Sequence, residues 1–239
     1  MKHGLTKLTM KFIQKAGRNS NGQITVYHRG GGNKKVYKIV DFKRSLFGPA
    51  RVVRTPVHDP NRTAKLAWIC YKQGIFAQIL APRGLKKNDI IQSGPLADIT
   101  IGNALPISKL PVGLLIHNIE LKPGCGGQFV RAAATSAKII KKEIGFTIIK
   151  LNSGKFYSIP SQAMATVGIL SPRGDSTLTK KAGQSRWKNR RPTVRGVAMN
   201  SIDHPHGGGE GKSKGNRHPV SPWGKLTKGK VTGFRRLRR

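Results

Sequence analysis

The last quarter of the chain, residues 180–239, carries 17 Lys or Arg, ten Gly and two acidic residues, with very few consecutive apolar positions. Such a segment cannot bury enough surface to offset its ordering entropy, so it is expected to be disordered alone and to order against a polyanion. The core must therefore come from the residues that precede it. The charge imbalance runs through the whole sequence, with 45 Lys and Arg against nine Asp and Glu and a formal net charge of +36. Self-repulsion on that scale implies a polyanionic partner. A hydrophobic content of 37% excludes a wholly unstructured chain. No apolar run reaches the ~18 residues of a membrane span, and no long basic amphipathic helix is patterned, which places nucleic acid ahead of a lipid surface.

Residues 1–22 read as a basic arm. The opening "MKHGLTKLTMKFIQKAG" lacks acid, but it also lacks Arg and an apolar block before a cleavage site, so a solvated or RNA-bound arm is preferred to an organellar presequence. Over 23–98, short Val-, Ile- and Tyr-rich runs ("QITVYHR", "KVYKIVDF", "RVVRT") alternate with turn clusters. "KLAWICYKQGIFAQILAP" reads as a hairpin turning through Lys72, Gln73 and Gly74. Many short strands without alternating helical patterns predict a small closed or half-closed barrel. A second all-β block spans 99–179, with a strand expected over Leu114–Leu121 and a strand–turn–strand–turn–strand pattern in "AKIIKKEIGFTIIKLNSGKFYSIP". The alanines of "GGQFVRAAATSA" suit at most one or two helical turns. Cys70 and Cys125 stand too far apart for a CxxC site and are expected to be packed free thiols.

The stretch "MNSIDHPHGGGEGKSKGNRHP" (199–219) gathers three histidines and two acids, and so invites a catalytic or metal reading. A loop rich in Gly and Pro fixes neither a zinc geometry nor a supporting shell, and no metal is expected. The P-loop spacing fails, because the first glycine of that motif would fall at His206. Ser201, Asp203 and a neighbouring His lie along one extended loop and do not converge as a triad must. Contact with a nucleic-acid backbone accounts for all the residue types together. Gly207, Gly208 and Gly209 permit close approach, their N–H groups can face anions, and Lys212 and Lys214 neutralise phosphate. His204, His206, Trp187 and Trp223 offer rings for stacking. The same combination recurs where Arg18, Arg29, Lys34 and Lys35 surround Gly30–Gly32, in "HDPNR" ending at Arg62, and in "LKPGCGGQFVR" ending at Arg131.

Taken together, "GRNSNGQIT…HRGGGNKK", "DPNR", "APRGL", "GNALP", "IHNIELKPG…GGQ…RAA" and "RPTVRGVAMNSIDHPHGGGEGKSKGNRHPVSPWG" resemble the large-subunit ribosomal protein two family, in its bacterial and organellar branch. The resemblance runs from about Gly17 to Arg239. It implies an all-β chain with an OB-fold barrel (23–98), an SH3-like barrel (99–179), a basic extended N-terminal arm (1–22) and a long basic C-terminal extension (180–239) threaded into rRNA. It implies a non-enzymatic, structural role in binding large-subunit rRNA near the peptidyl-transferase centre and in subunit association. The implied partners are that rRNA, neighbouring ribosomal proteins and the small subunit at the intersubunit face, with no membrane. No cofactor is implied beyond magnesium ions associated with the rRNA. RNA contacts carry over to Arg18, Arg29, Gly30, Lys34, Lys35, Arg62, Arg83, Arg131, Arg186, Arg190, Arg191 and Arg195, and to the loop His204, His206, Gly207, Gly208 and Gly209. His206 matches a histidine discussed in the family for peptidyl transfer, but the chemistry is attributed to rRNA, so a packing role is expected. Two departures stand out: Ser201 replaces the usual Pro, and the segment ahead of "GRN" is short. A mitochondrial matrix ribosome is the expected setting, with bacterial cytoplasm or plastid stroma as the alternative.

Overall fold

The computed structural model describes residues 8–173, 181–211 and 217–229. Within them the chain forms two compact units, one built on the described part of Met1–Ile13 with Lys34–Leu178, the other on Gln14–Asn33 with the described part of Thr179–Arg239.

The first unit is almost entirely β-structure. Part of the basic arm, β1 (Thr9–Phe12), pairs antiparallel with β2 (Lys35–Lys38). In β3 (Gly48–Val57), β4 (Leu66–Tyr71) and β5 (Phe76–Leu80), alternating small or branched apolar residues turn inward, and the three run as an antiparallel meander. Their inward residues, among them Val52, Ile69 and Ile79, pack with Ile91 of β6 (Ile90–Ser93) to form the first core. The Lys72–Gly74 turn between β4 and β5 is the expected one; it closes through the Gly74 N–H on the Tyr71 carbonyl at 2.9 Å.

A single parallel pairing, Ser93 with Ala104, hands the sheet from β6 to β7 (Ala104–Pro106). Beyond it come β8 (Leu115–His117), β9 (Ile119–Glu120), β10 (Gly127–Phe129), β11 (Ala137–Lys142), β12 (Phe146–Leu151), β13 (Phe156–Pro160) and β14 (Met164–Val167). The main sheet is ordered β13-β12-β11-β8-β14-β7-β6-β3-β4-β5. Its second lobe closes over Ile107, Leu110, Ile116, Ile139, Ile149 and Ile159, all 1% exposed or less. At ~1.5–3 kcal/mol for each such side chain buried, this cluster holds the lobe. The seam between lobes is packed as well. Leu170 bridges to Pro82 and lies with Leu66 and Leu80 in a third cluster.

Three local expectations are corrected. "QITVYHR" forms no strand. Asn19 Oδ1 accepts the Asn21 and Gln23 N–H groups at 3.0 Å each, and Gly17 O accepts those of Thr25 and Val26, so local side-chain and turn bonds outcompete a ladder. The expected strand over Leu114–Leu121 breaks at Asn118, which takes φ 49° to donate its N–H to Val130 O; Asn enters that region at low cost. The 126–137 stretch carries β10, turns and the first residue of β11, with no helix, which is within the expected limit of one or two helical turns. Cys125 is exposed and not packed; Cys70 is half-buried, and both are free thiols.

Candidate nucleic-acid interface

In the first unit the predicted cations divide by what they touch. Asp59 is buried at the "HDPNR" turn and accepts the Asn61 N–H at 2.9 Å and Arg62 Nε at 2.6 Å. Arg62 is thereby held in place, with its guanidinium 5.3 Å from the Phe42 ring centre. Arg131, exposed, lies over the same ring at 4.9 Å. Two cations distant in sequence thus share one aromatic platform, which sequence reasoning missed because Phe42 carries no polar signal. Lys34 and Arg83 are exposed, and Lys35 sits half-buried at the start of β2. The "LKPGCGG" turn owes its shape to another residue the sequence did not single out. Glu120, 1% exposed, accepts the N–H groups of Gly126 at 2.8 Å, Met164 at 3.0 Å and Gly124 at 3.1 Å.

The second unit gathers most of the remaining candidates. "HRGGGN" runs antiparallel against 187–191: Arg29 bridges to Arg190, the Gly30 N–H donates to Asn189 O at 3.0 Å, and the Arg191 N–H to His28 O at 3.0 Å. Gly32 is required by this approach. Its φ is +64°, and a Cβ there would come within 1.6 Å of Asn189 Oδ1. Arg18, Arg29, Arg190 and Arg191 are all exposed, and none meets a carboxylate among the described residues. Arg186 lies in the last turn of the short α1 (Gln184–Trp187), and Arg195 just before the 3-10 turn at Gly196–Ala198; both are exposed. Trp187 is 51% and Trp223 75% exposed, so each presents ring surface that a base can cover.

The histidine loop is organised by its own hydrogen bonds. His204 is buried, and its Nδ1 accepts the His206 N–H at 3.0 Å. Gly207 donates its N–H to His204 O at 2.8 Å, and Gly208 to Met199 O at 3.0 Å. The N–H groups of Gly207 and Gly208 are therefore spent inside the loop, correcting the expectation that they face an anion; Gly209 is exposed. His206 Nε2 accepts the Val220 N–H at 3.1 Å and lies 3.4 Å from His218 O. The shorter contact requires the neutral ring with its proton on Nδ1. His206 thus joins two stretches of chain, and its Nε2 is already engaged. Lys212 and Lys214 lie outside the described residues. Among the described residues no group of His, Cys, Asp and Glu is arranged to hold a metal ion.

Residues 5–93 match the family model described as Ribosomal Proteins L2, RNA binding N-terminal domain, and residues 100–224 match Ribosomal Proteins L2, C-terminal domain. The chain belongs to the ribosomal protein L2 family. It is 51% identical to the large ribosomal subunit protein uL2m of Reclinomonas americana over 96% of this chain and 84% of that one. It is 50% identical to uL2 of Rickettsia akari over 95% of this chain and 84% of the relative. With uL2 of Parvibaculum lavamentivorans the identity is 47%, over 94% and 81% respectively. An OB-type barrel followed by an SH3-like barrel is the L2 architecture, and the two cores of the first unit follow that order along the chain.

Proposed function

We propose that this chain binds large-subunit rRNA beside the peptidyl-transferase centre and supports association of the two subunits. As a member of the L2 family it is a structural, rRNA-binding constituent of the large ribosomal subunit and not an enzyme. The observation that carries the finer reading is the cluster of Arg18, Arg29, Arg190 and Arg191 on two cross-bonded stretches, with no carboxylate among the described residues to neutralise it. Such a cluster is placed to attract a polyanion and to neutralise its phosphates.

In this reading, 23–98 is the OB-fold RNA-binding domain and 99–179 the SH3-like domain. The arm (1–22) and the extension (180–239) thread between rRNA segments, and the extension orders on the RNA. The contacts are the predicted ones at exposed positions, with Arg62 acting through the Phe42 platform; the buried His204 and the Gly207 and Gly208 N–H groups shape the loop instead. Neighbouring ribosomal proteins and the small subunit complete the surroundings, and any magnesium belongs to the rRNA. No helix of the described residues is long and apolar enough to cross a membrane. The setting we favour is a mitochondrial ribosome, supported by the Reclinomonas uL2m relative. Bacterial cytoplasm and plastid stroma are the alternatives, the Rickettsia relatives being about as similar.

RNA crosslinking with site mapping on isolated large subunits tests the placement. Crosslinks from 186–211 should fall on rRNA lining the peptidyl-transferase centre. Crosslinks confined to distant rRNA, or a chain that sediments wholly free of subunits at high magnesium, would sink it.

A further inference from the structure

The second unit holds a cavity of about 360 Å³ where the 16–31 stretch faces Arg191 and Pro192. That volume lies at the small end of the ~300–1,000 Å³ range of sites that enclose small molecules. Its lining is chemically divided. Arg18, Arg29 and Arg191 supply three cations, and no acidic residue lines it. Ile24, Tyr27 and Pro192 supply ring and aliphatic surface, and Tyr27 is 62% exposed. The backbone of Gly30 and Gly31 forms part of the wall, and a Cβ on Gly31 would meet nothing within 4 Å, so that side is open to an incoming group.

The walls are fixed by the protein itself. His28 stands at φ 60° with its Nδ1 3.0 Å from Pro192 O, while Arg191 donates its N–H to His28 O at 3.0 Å. Asn189, on the facing stretch, also holds a left-handed conformation, at φ 65°. Two non-glycine residues in that region, hydrogen-bonded between the two stretches, define the shape of the cavity.

We infer that this cavity takes one unpaired nucleotide of the RNA, its base against Tyr27 and the Ile24–Pro192 surface and its phosphate among Arg18, Arg29 and Arg191. The division of the lining into an apolar part and a cationic part matches the two halves of a nucleotide. Flat duplex backbone would use the arginines but leave the ring surface empty. Unpaired bases splayed onto aromatic rings are the usual means of recognising RNA at loops and bulges. The inference rests on the rRNA reading above and adds to it the kind of RNA element recognised.

Ultraviolet crosslinking of the full chain to large-subunit rRNA, with the peptide and the nucleotide both mapped, tests it. The 24–30 peptide should crosslink to a single unpaired base. Tyr27→Ala should cut that crosslink about fivefold or more, the loss of one stacked base, while Tyr27→Phe retains it. Arg191→Gln should weaken it without moving it. A 24–30 peptide that crosslinks only to paired nucleotides or to none, while other peptides of the chain still crosslink, would overturn the pocket and leave the rRNA reading standing. An Ala variant that crosslinks like the unaltered chain would do the same. Failure of every peptide to capture large-subunit rRNA would overturn both.

Discussion

His206 is the residue on which a chemical and a structural account divide. Its Nε2 already accepts the Val220 N–H, which leaves that nitrogen poorly placed to take a proton from a reacting amine. Replacing His206 with Ala should free 218–220 from the loop. The Val220 amide should then exchange roughly fivefold faster, as the loss of about 1 kcal/mol of hydrogen bonding implies. Subunits carrying His206→Gln, which keeps an acceptor, should retain peptidyl transfer; a Gln variant as inactive as the Ala variant would mean that the imidazole does chemistry. Glu120 gives a second test. Its carboxylate satisfies three N–H groups in a buried turn, so Glu120→Ala should lower stability by about 3 kcal/mol or more, measured by urea unfolding. The two residues differ in how legible they were. The histidine was conspicuous in its Gly- and Pro-rich loop, but the bond that defines its role spans 14 residues and depends on the fold. Glu120 had no sequence signal beyond a glycine turn a few positions downstream.

Elements with local signals were readable and those set by distant partners were not. The β4–β5 and β12–β13 hairpins follow from alternation and from turns ending in Gly74 and Gly154, where chain and side-chain preferences agree. "QITVYHR" has the composition of a strand yet forms turns, because Asn19 and Gly17 capture its N–H groups first. β8 carries a consequence of burial that the sequence conceals. His117 is fully buried, with Nδ1 2.9 Å from Gly168 O, and burial drives its pKa from 6.5 down to about 4. The imidazole stays neutral in the fold but protonates freely once unfolded, so between about pH 6.5 and 4 the unfolded chain binds more protons. Stability from this group is complete above that window and is lost as pH falls through it, by about 3 kcal/mol in all. Urea midpoints measured from pH 7.5 to 4 should fall accordingly, and His117→Gln should flatten the decline. An equal decline in the variant would assign it to other groups.

At the scale of the molecule, the sequence announced its partner more clearly than its shape. The net charge of +36 follows from composition alone, whereas the grouping of 14–33 with the C-terminal stretch depends on pairings such as Arg29 with Arg190 that no local pattern encodes. The three apolar clusters lie wholly before residue 174, so a chain ending at Arg173 should fold. It would lack 17 of the 45 cations and three of the nine acids. The most direct test of the account is the salt dependence of binding to large-subunit rRNA, compared between the full chain and that truncation. Each phosphate neutralised contributes about 0.7–0.9 to the slope of log K against log salt. The full chain should show the steeper slope by several units, with the truncation binding more weakly but measurably. Equal slopes and equal affinities would contradict the claim that the C-terminal cations act on RNA phosphates.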